Sequence, residues 1–240
     1  MNEQKHTFAL YYPASFDRVG QLIVTDAPVV HRISRVLRLR VGESLQLFND
    51  VCQVTAIVEE VDERRVRLRL GEATQLVALS PAITVLLAVL KHGALEDAIS
   101  SLTQCGVQYI RLYTSDRVQR AWGGVKEHER MMRVMIAAAE QSKQLILPIL
   151  HDPQFLLDVL DQPGARLWCE FGETSFIDVA HQAIKKGEPI TLLVGPEADF
   201  SIREKELVKT KGFVAGRLTQ SILRAEQAAF LAAGIIRSIT

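Results

Sequence analysis

The chain has 240 residues, 48% of them hydrophobic, enough for one large domain or for a small and a medium one. Lysine plus arginine equals aspartate plus glutamate at 28 each, so the net charge is zero and no global basic footprint marks a nucleic-acid binder; a basic patch has to be local. Cys52, Cys105 and Cys169 are odd in number, far apart and form no CxxC, which argues against a disulfide framework and for a reducing compartment.

The opening residues Met1-Asn2-Glu3-Gln4-Lys5-His6 lack the apolar core of a signal peptide. The longest apolar run, 83–90, is too short to span a membrane, and a soluble cytoplasmic protein without a membrane segment is expected. The first seventy or so residues have a β accent. Short β-rich runs fall at 7–12, 21–24, 44–48 and 52–58, and Arg65-Val66-Arg67-Leu68-Arg69-Leu70 alternates charge with aliphatic, as in a strand with one face in water. So many strands in so short a segment predict a small barrel over 1–72. Between them, His31-Arg32-Ile33-Ser34-Arg35-Val36-Leu37-Arg38-Leu39-Arg40 has helical spacing and no acid within it. Its plain reading is a solvated helix face; the sharper one is phosphate contacts to a nucleic acid.

Residues 71–81 look like a linker, and 73–240 make a second domain with a different grammar. Strands are expected at 83–90, 107–112, 166–171 and 192–194, and helices at 94–105 (ended by Gly106), 126–144 and 176–186. That alternation predicts a mainly parallel sheet covered by helices. Its most distinctive stretch is Leu192-Leu193-Val194-Gly195-Pro196-Glu197-Ala198-Asp199-Phe200-Ser201: a buried strand empties into a tight turn, and Ser201 with Glu204 has capping-box spacing for the next helix. A second unit repeats the plan, with a short strand at 213–215, a loop, and an apolar helix from about 223 to 239. Loops at the carboxyl ends of such strands are where α/β sheets bind ligands, so the two loops are expected to share a pocket.

Familiar sites are missing. The sequence has no GxGxxG, no GxxxxGK[ST] and no GxSxG, and the six histidines show no paired spacing, so no metal is expected. What remains is a backbone-lined pocket. A further basic set, Arg111, Arg117 and Arg120, followed by Arg130 and Arg133, supports the nucleic-acid reading of the first arginine run.

These residues carry a resemblance. Arg35-Val36-Leu37-Arg38 with Gly42, Lys91, Gly106-Val107, Arg117, Glu140-Gln141-Ser142 with Pro148, Gly195-Pro196-Glu197, and Ile222-Leu223-Arg224 with Glu226 and Ala228 together resemble the RsmE family of 16S rRNA uridine N3-methyltransferases, of the SPOUT superfamily. The likeness runs in order through nearly the whole chain. It implies a PUA-like β-barrel for RNA, a SPOUT-type trefoil-knotted α/β domain for S-adenosylmethionine, a homodimer, and 16S rRNA or the assembled small ribosomal subunit as substrate. It also implies three loops around the cofactor: after Phe171, after Val194, and from 218 to 224. Gly195, Glu197, Ile222 and Arg224 would border the cofactor, with Leu193, Leu218 and Leu223 packing on the adenine. Glu197 would accept the uracil N3 proton and Arg224 would steady charge on the ring oxygens. The plainer readings are that Glu197 caps the following helix and that Arg224 pairs with Glu226 or a carbonyl. RNA would be held by His31, Arg32, Arg35, Arg38, Arg40 and Arg117.

The chain departs from the family where Ala198, Asp199 and Thr219 stand in place of its usual glycines, and Ala225 and Gln227 in place of threonines. Aspartate tolerates a positive φ better than most residues, and Ala198 would be strained if it needed one. These departures set up a rival function, an RNA-binding protein with a relic pocket that transfers no methyl group; an unrelated small-molecule transferase is a third reading.

Overall fold

The computed structural model describes residues 7–16, 20–117 and 120–240; the opening six residues, read above for a signal peptide, lie outside that set, as does the side chain of His92. The chain divides into two compact units. One comprises the residues up to Val77 together with Ala139–Ile146, the other Ala78–Ala138 with Leu147–Thr240.

The first unit holds a five-stranded sheet in the order β1-β3-β4-β5-β2. Its strands are β1 (Phe8–Tyr11), β2 (Gly20–Val24), β3 (Ser44–Phe48), β4 (Cys52–Val61) and β5 (Val66–Gln75). The alternation read at 65–70 is real: Val66, Leu68 and Leu70 are buried with Val54, Ala56 and Val58, while Arg67 and Arg69 pair with Glu60 and Glu59 on the outer face. Two expectations change. The stretch 71–75 belongs to β5, whose ladder runs on opposite Cys52–Val54, so the predicted linker is strand for its first half. The barrel is not closed: β1 and β2 stand at the two edges, and no ladder joins them among the described residues. The two register shifts of β4 against β5 add twist without completing the circle.

Between β2 and β3 the chain forms α1 (Ala27–His31), capped by the Asp26 side chain, and continues into a π-helical turn at Arg32–Val36. Helical spacing puts Ile33, Val36 and Leu37 on one face; Ile33 is in the core and Leu37 is half-buried, but Val36 is exposed. The helical stretch stops at Leu37, earlier than expected, because Arg38 adopts φ 53.

The second unit is built on a six-stranded sheet in the order β11-β9-β10-β6-β7-β8, all pairs parallel. The strands are β6 (Ile83–Ala88), β7 (Tyr109–Thr114), β8 (Ile149–Phe155), β9 (Ala165–Cys169), β10 (Ile190–Val194) and β11 (Val214–Gly216). The helices are α2 (His92–Gln104), α3 (Val125–Ser142), α4 (Leu156–Val159), α5 (Phe176–Ile184), α6 (Ile202–Thr210) and α7 (Ala225–Ser238). Central β10 is buried at every residue, Thr191 included, as a strand requires when both sheet faces are covered. The sequence reading missed β8 and α4. β8 is an edge strand whose His151-Asp152-Pro153 centre falls in a register shift against Arg111 and Tyr113, the setting in which a strand tolerates proline.

Candidate active site

The carboxyl ends of β9, β10 and β11 open into one cleft of about 1000 Å³. Three segments wall it, two of them where expected, while the first reaches the cleft up to Phe171 and not after it. The first runs from Trp168 to Phe171, the second is the whole bend from Val194 to Phe200, and the third runs from Gly216 through Leu218 and Ile222 to Arg224 and on to Ala228 of α7. Lys91 and Ala94, at the end of β6 and the start of α2, complete the rim.

The bend after β10 is held from several sides. Phe200 is buried in a stack with Tyr113 and edge-on to Trp168, with ring centroids 6.1 and 6.0 Å away. The Tyr113 hydroxyl donates to the Val194 carbonyl at 2.6 Å, and its burial, with Glu204 nearby, pushes the phenol well above its ordinary pKa, so it stays a donor. Gly195 does not take a positive φ. Space there is tight, because a Cβ would sit 3.3 Å from the Phe200 ring, which would have to give way slightly. Asp199 adopts φ 60, the conformation for which glycine was expected, whereas Ala198 is not among the positive-φ residues. The departure from glycine therefore falls on the residue that bears it better. Asp199 stabilises its own turn by accepting the Phe200 N–H at 2.7 Å through Oδ1. The capping box forms as read: Ser201 accepts from the Glu204 N–H and the Glu204 carboxylate accepts from the Ser201 N–H. Glu197 therefore does not cap α6; it faces Lys91, with Nζ 3.7 Å from Oε2.

The opposite bend is bare. From 218 to 223 its one side-chain hydrogen bond among the described residues runs from Thr219 Oγ1 to the Ser221 carbonyl at 2.6 Å. The main-chain N–H groups of Leu218, Ile222 and Leu223 have no partner among the described residues. Ile222 is 88% exposed. Arg224 starts α7 with its backbone, and its guanidinium makes no hydrogen bond or ion pair among the described residues, so the expected alternative pairing with Glu226 is not formed. Gly216, at the base of this bend, packs against α5; a Cβ there would lie 2.8 Å from Phe176 Cα.

Residues 78–237 match the family of RNA methyltransferase domains. The chain belongs to that family. A Rickettsia conorii protein named ribosomal RNA small subunit methyltransferase E is 29% identical over 214 residues, covering 87% of this chain and 86% of its own. A Mycobacterium bovis protein of the same name is 27% identical, covering 96% and 92%. Among solved structures, a ribosomal RNA small subunit methyltransferase E from Neisseria gonorrhoeae, bound to S-adenosyl methionine, superposes with a TM-score of 0.85 at 22% identity over 98% of both chains. A Legionella pneumophila protein in complex with SAM gives 0.84 at 24% identity, over 97% of this chain and 98% of its own. The α/β fold is thus that of these methyltransferase structures.

In this RNA methyltransferase, Phe171, Gly195, Glu197, Leu218, Ile222, Leu223 and Arg224 all border the cleft. Leu193 does not: it is fully buried in β10, and Val194 borders the cleft instead. Sequence reading missed Tyr113, Trp168 and Phe200, whose apolar surroundings read only as core. The Trp168 indole N–H is buried and has no partner among the described residues. Burial pushes the Cys169 thiol far up, so this cleft residue stays protonated and is no nucleophile.

The arginine run divides. Arg32 is held by Glu140 and Arg35 by Glu63, acids too distant in sequence to appear in the local pattern. Arg38 makes one weak bond, Nε to the Arg35 carbonyl at 3.4 Å, while the side chains of Arg40 and His31 have no partner among the described residues and are exposed. Arg117, in the second unit, donates to the Ala198 carbonyl at 3.3 Å and so sits beside the cleft. Among the described residues no group of three or more His, Cys, Asp and Glu is placed to hold a metal, and no helix is long and apolar enough to cross a membrane.

Proposed function

We propose that the chain is an S-adenosylmethionine-dependent methyltransferase acting on N3 of a uridine in 16S rRNA, presented as free RNA or in the assembled small ribosomal subunit. The observation that carries this reading is the meeting of three loops, far apart in sequence, around one cleft at the strand ends. The family match and the names of the Rickettsia and Mycobacterium relatives support it. The uridine N3 position rests on the resemblance in the motifs. The same resemblance brings the SPOUT-type trefoil knot, the PUA-like character of the first unit as an RNA-binding domain, the homodimer and the cytoplasmic location.

The residues present fit the cofactor. The cleft has the size of a small-molecule site, and its bare bend offers free main-chain N–H groups at Leu218, Ile222 and Leu223 for a polar ligand. Leu218 and Leu223 supply apolar surface for an adenine, and the unpaired Trp168 N–H is a buried donor awaiting an acceptor. Bound there, S-adenosylmethionine supplies an electrophilic methyl group on a sulfonium. The protein then aligns the reactants and excludes water. Glu197, on the rim, accepts the N3 proton; Lys91 beside it adds a cation at the same edge. Arg224, free of internal partners, steadies the charge that spreads to the uracil oxygens as the proton leaves.

The test is direct. Small ribosomal subunits and naked 16S rRNA are incubated with the protein and methyl-labelled donor, and the product is mapped by mass spectrometry. One uridine gaining a methyl group at N3 is expected; absence of transfer to either substrate would overturn the reading.

A further inference from the structure

Two walls of the cleft are joined through a side chain that is not itself on the wall. Lys205 Nζ lies 2.8 Å from Asp199 Oδ2 and 3.3 Å from Glu170 Oε1. Glu170 follows β9 and Asp199 lies in the bend after β10, and both border the cleft. Lys205 is carried by α6, whose start is fixed: the Glu204 carboxylate accepts the Asp116 N–H at 2.9 Å, and the Ser201 hydroxyl donates to Asp116 Oδ2 at 2.9 Å. Asp199 is aimed as well, since its left-handed backbone and the bond from Phe200 N–H to Oδ1 leave Oδ2 for the ammonium. Burial works against the Lys205 charge, but the hydrogen bond to Asp199 and the two carboxylates outweigh it, so the group is held protonated above its ordinary range.

We propose that Lys205 is a positioning residue for the methyl donor: by pairing at once with Glu170 and Asp199 it fixes the separation of the β9 and β10 walls. The proposal rests on the cofactor reading above and adds a role to the very position where this chain has aspartate in place of glycine. It makes a prediction of sign. Removing Lys205 leaves two carboxylates unneutralised at the rim, and if charge alone mattered a cationic sulfonium would then bind more tightly. A lost separation weakens any ligand of that shape, charged or not.

The full chain is titrated calorimetrically with S-adenosylmethionine and with S-adenosylhomocysteine, its neutral thioether, in the parent and in Lys205→Met, Asp199→Asn and the double variant. Asparagine tolerates the positive φ and can still accept the Phe200 N–H, so Asp199→Asn removes the ion pair and leaves the turn. Lys205→Met is expected to raise Kd for both ligands by about fivefold, the upper range for partly exposed pairs. The double variant should be no weaker than the weaker single one, because both remove the same link. Without ligand, amide exchange at 170–174 and 196–199 should quicken in Lys205→Met while the melting temperature holds. Unchanged affinities, additive losses, or tighter sulfonium binding with the thioether unaffected would each overturn the positioning role. A parent that binds neither ligand would sink the cofactor reading and this proposal together; a parent that binds, with variants that bind alike, sinks this proposal alone.

Discussion

The two bends that face each other across the cleft are built in opposite ways. The one after β10 is tied down by an aromatic stack, a buried phenol, an ion pair and a bond from Arg117; the one at 218–224 has, among the described residues, a single internal side-chain bond, and the N–H groups of Leu218, Ile222 and Leu223 and the Arg224 guanidinium are uncommitted. Polar groups already satisfied inside a fold contribute to its stability, whereas those left open are available to a ligand. One wall therefore acts as the scaffold and the other as the reading surface, and side chains on the two should fail in different ways when changed.

The sharpest way to break that contrast is at Arg224. Its replacement by alanine should cut methyl transfer by about a hundredfold or more, the range for losing a charge-stabilising donor, with a urea midpoint unchanged. Loss of stability with modest loss of rate would place Arg224 on the scaffold side. Tyr113→Phe should show the opposite signature. It orphans the Val194 carbonyl and is expected to cost about 1 to 2 kcal/mol in chemical denaturation, with donor binding weakened only a few-fold.

The arginine run of the first unit repeats the contrast on a smaller scale. Arg32 is committed to Glu140, which also accepts the Tyr11 N–H at 3.0 Å. Burial pushes the Glu140 carboxyl above its ordinary 4.5, with the Tyr11 N–H and Arg32 pulling it partly back. A carboxyl raised in the fold gives up stability as pH rises from the unfolded value through the folded one. Relative to Glu140→Gln, which cannot titrate, the parent should gain on acidification from pH 7 to pH 4, by no more than about 1 kcal/mol since Arg32 is half exposed. A relative loss would mean that the ion pair outweighs burial. Smallest of all, Arg40→Ala should leave stability alone and lower the salt slope of single-stranded RNA binding by about 0.7, one phosphate contact's worth.

Much of this was legible in the residues. The Leu192-Leu193-Val194 run of β10, the alternation of β5 and the Ser201 and Glu204 spacing each follow from local physics, and the structure has them where expected. The loops after Val194 and from 218 to 224 came from motif likeness and meet in the cleft, while the third wall lies at Trp168–Phe171, before the loop that the likeness implied. What was not legible is tertiary. Val194, not Leu193, borders the cleft because it is the last residue of β10, and an apolar run buried on both faces does not show which residue ends the strand. Arg32 and Arg35 looked free because Glu140 and Glu63 lie outside their ten residues. β8 hid behind a proline that only its place at the sheet edge excuses. Lys205 carries no local signal at all, since its role depends on Asp199 and Glu170, from two other segments, coming within reach.

Amide hydrogen exchange with and without S-adenosylmethionine reads out whether both bends close on one methyl-donating molecule. Strong new protection is expected at Leu218, Ile222 and Leu223, with a smaller change at 195–199, where the bend is already held. Protection confined to other parts of the chain, or none at 218–223 under saturating donor, would contradict the account.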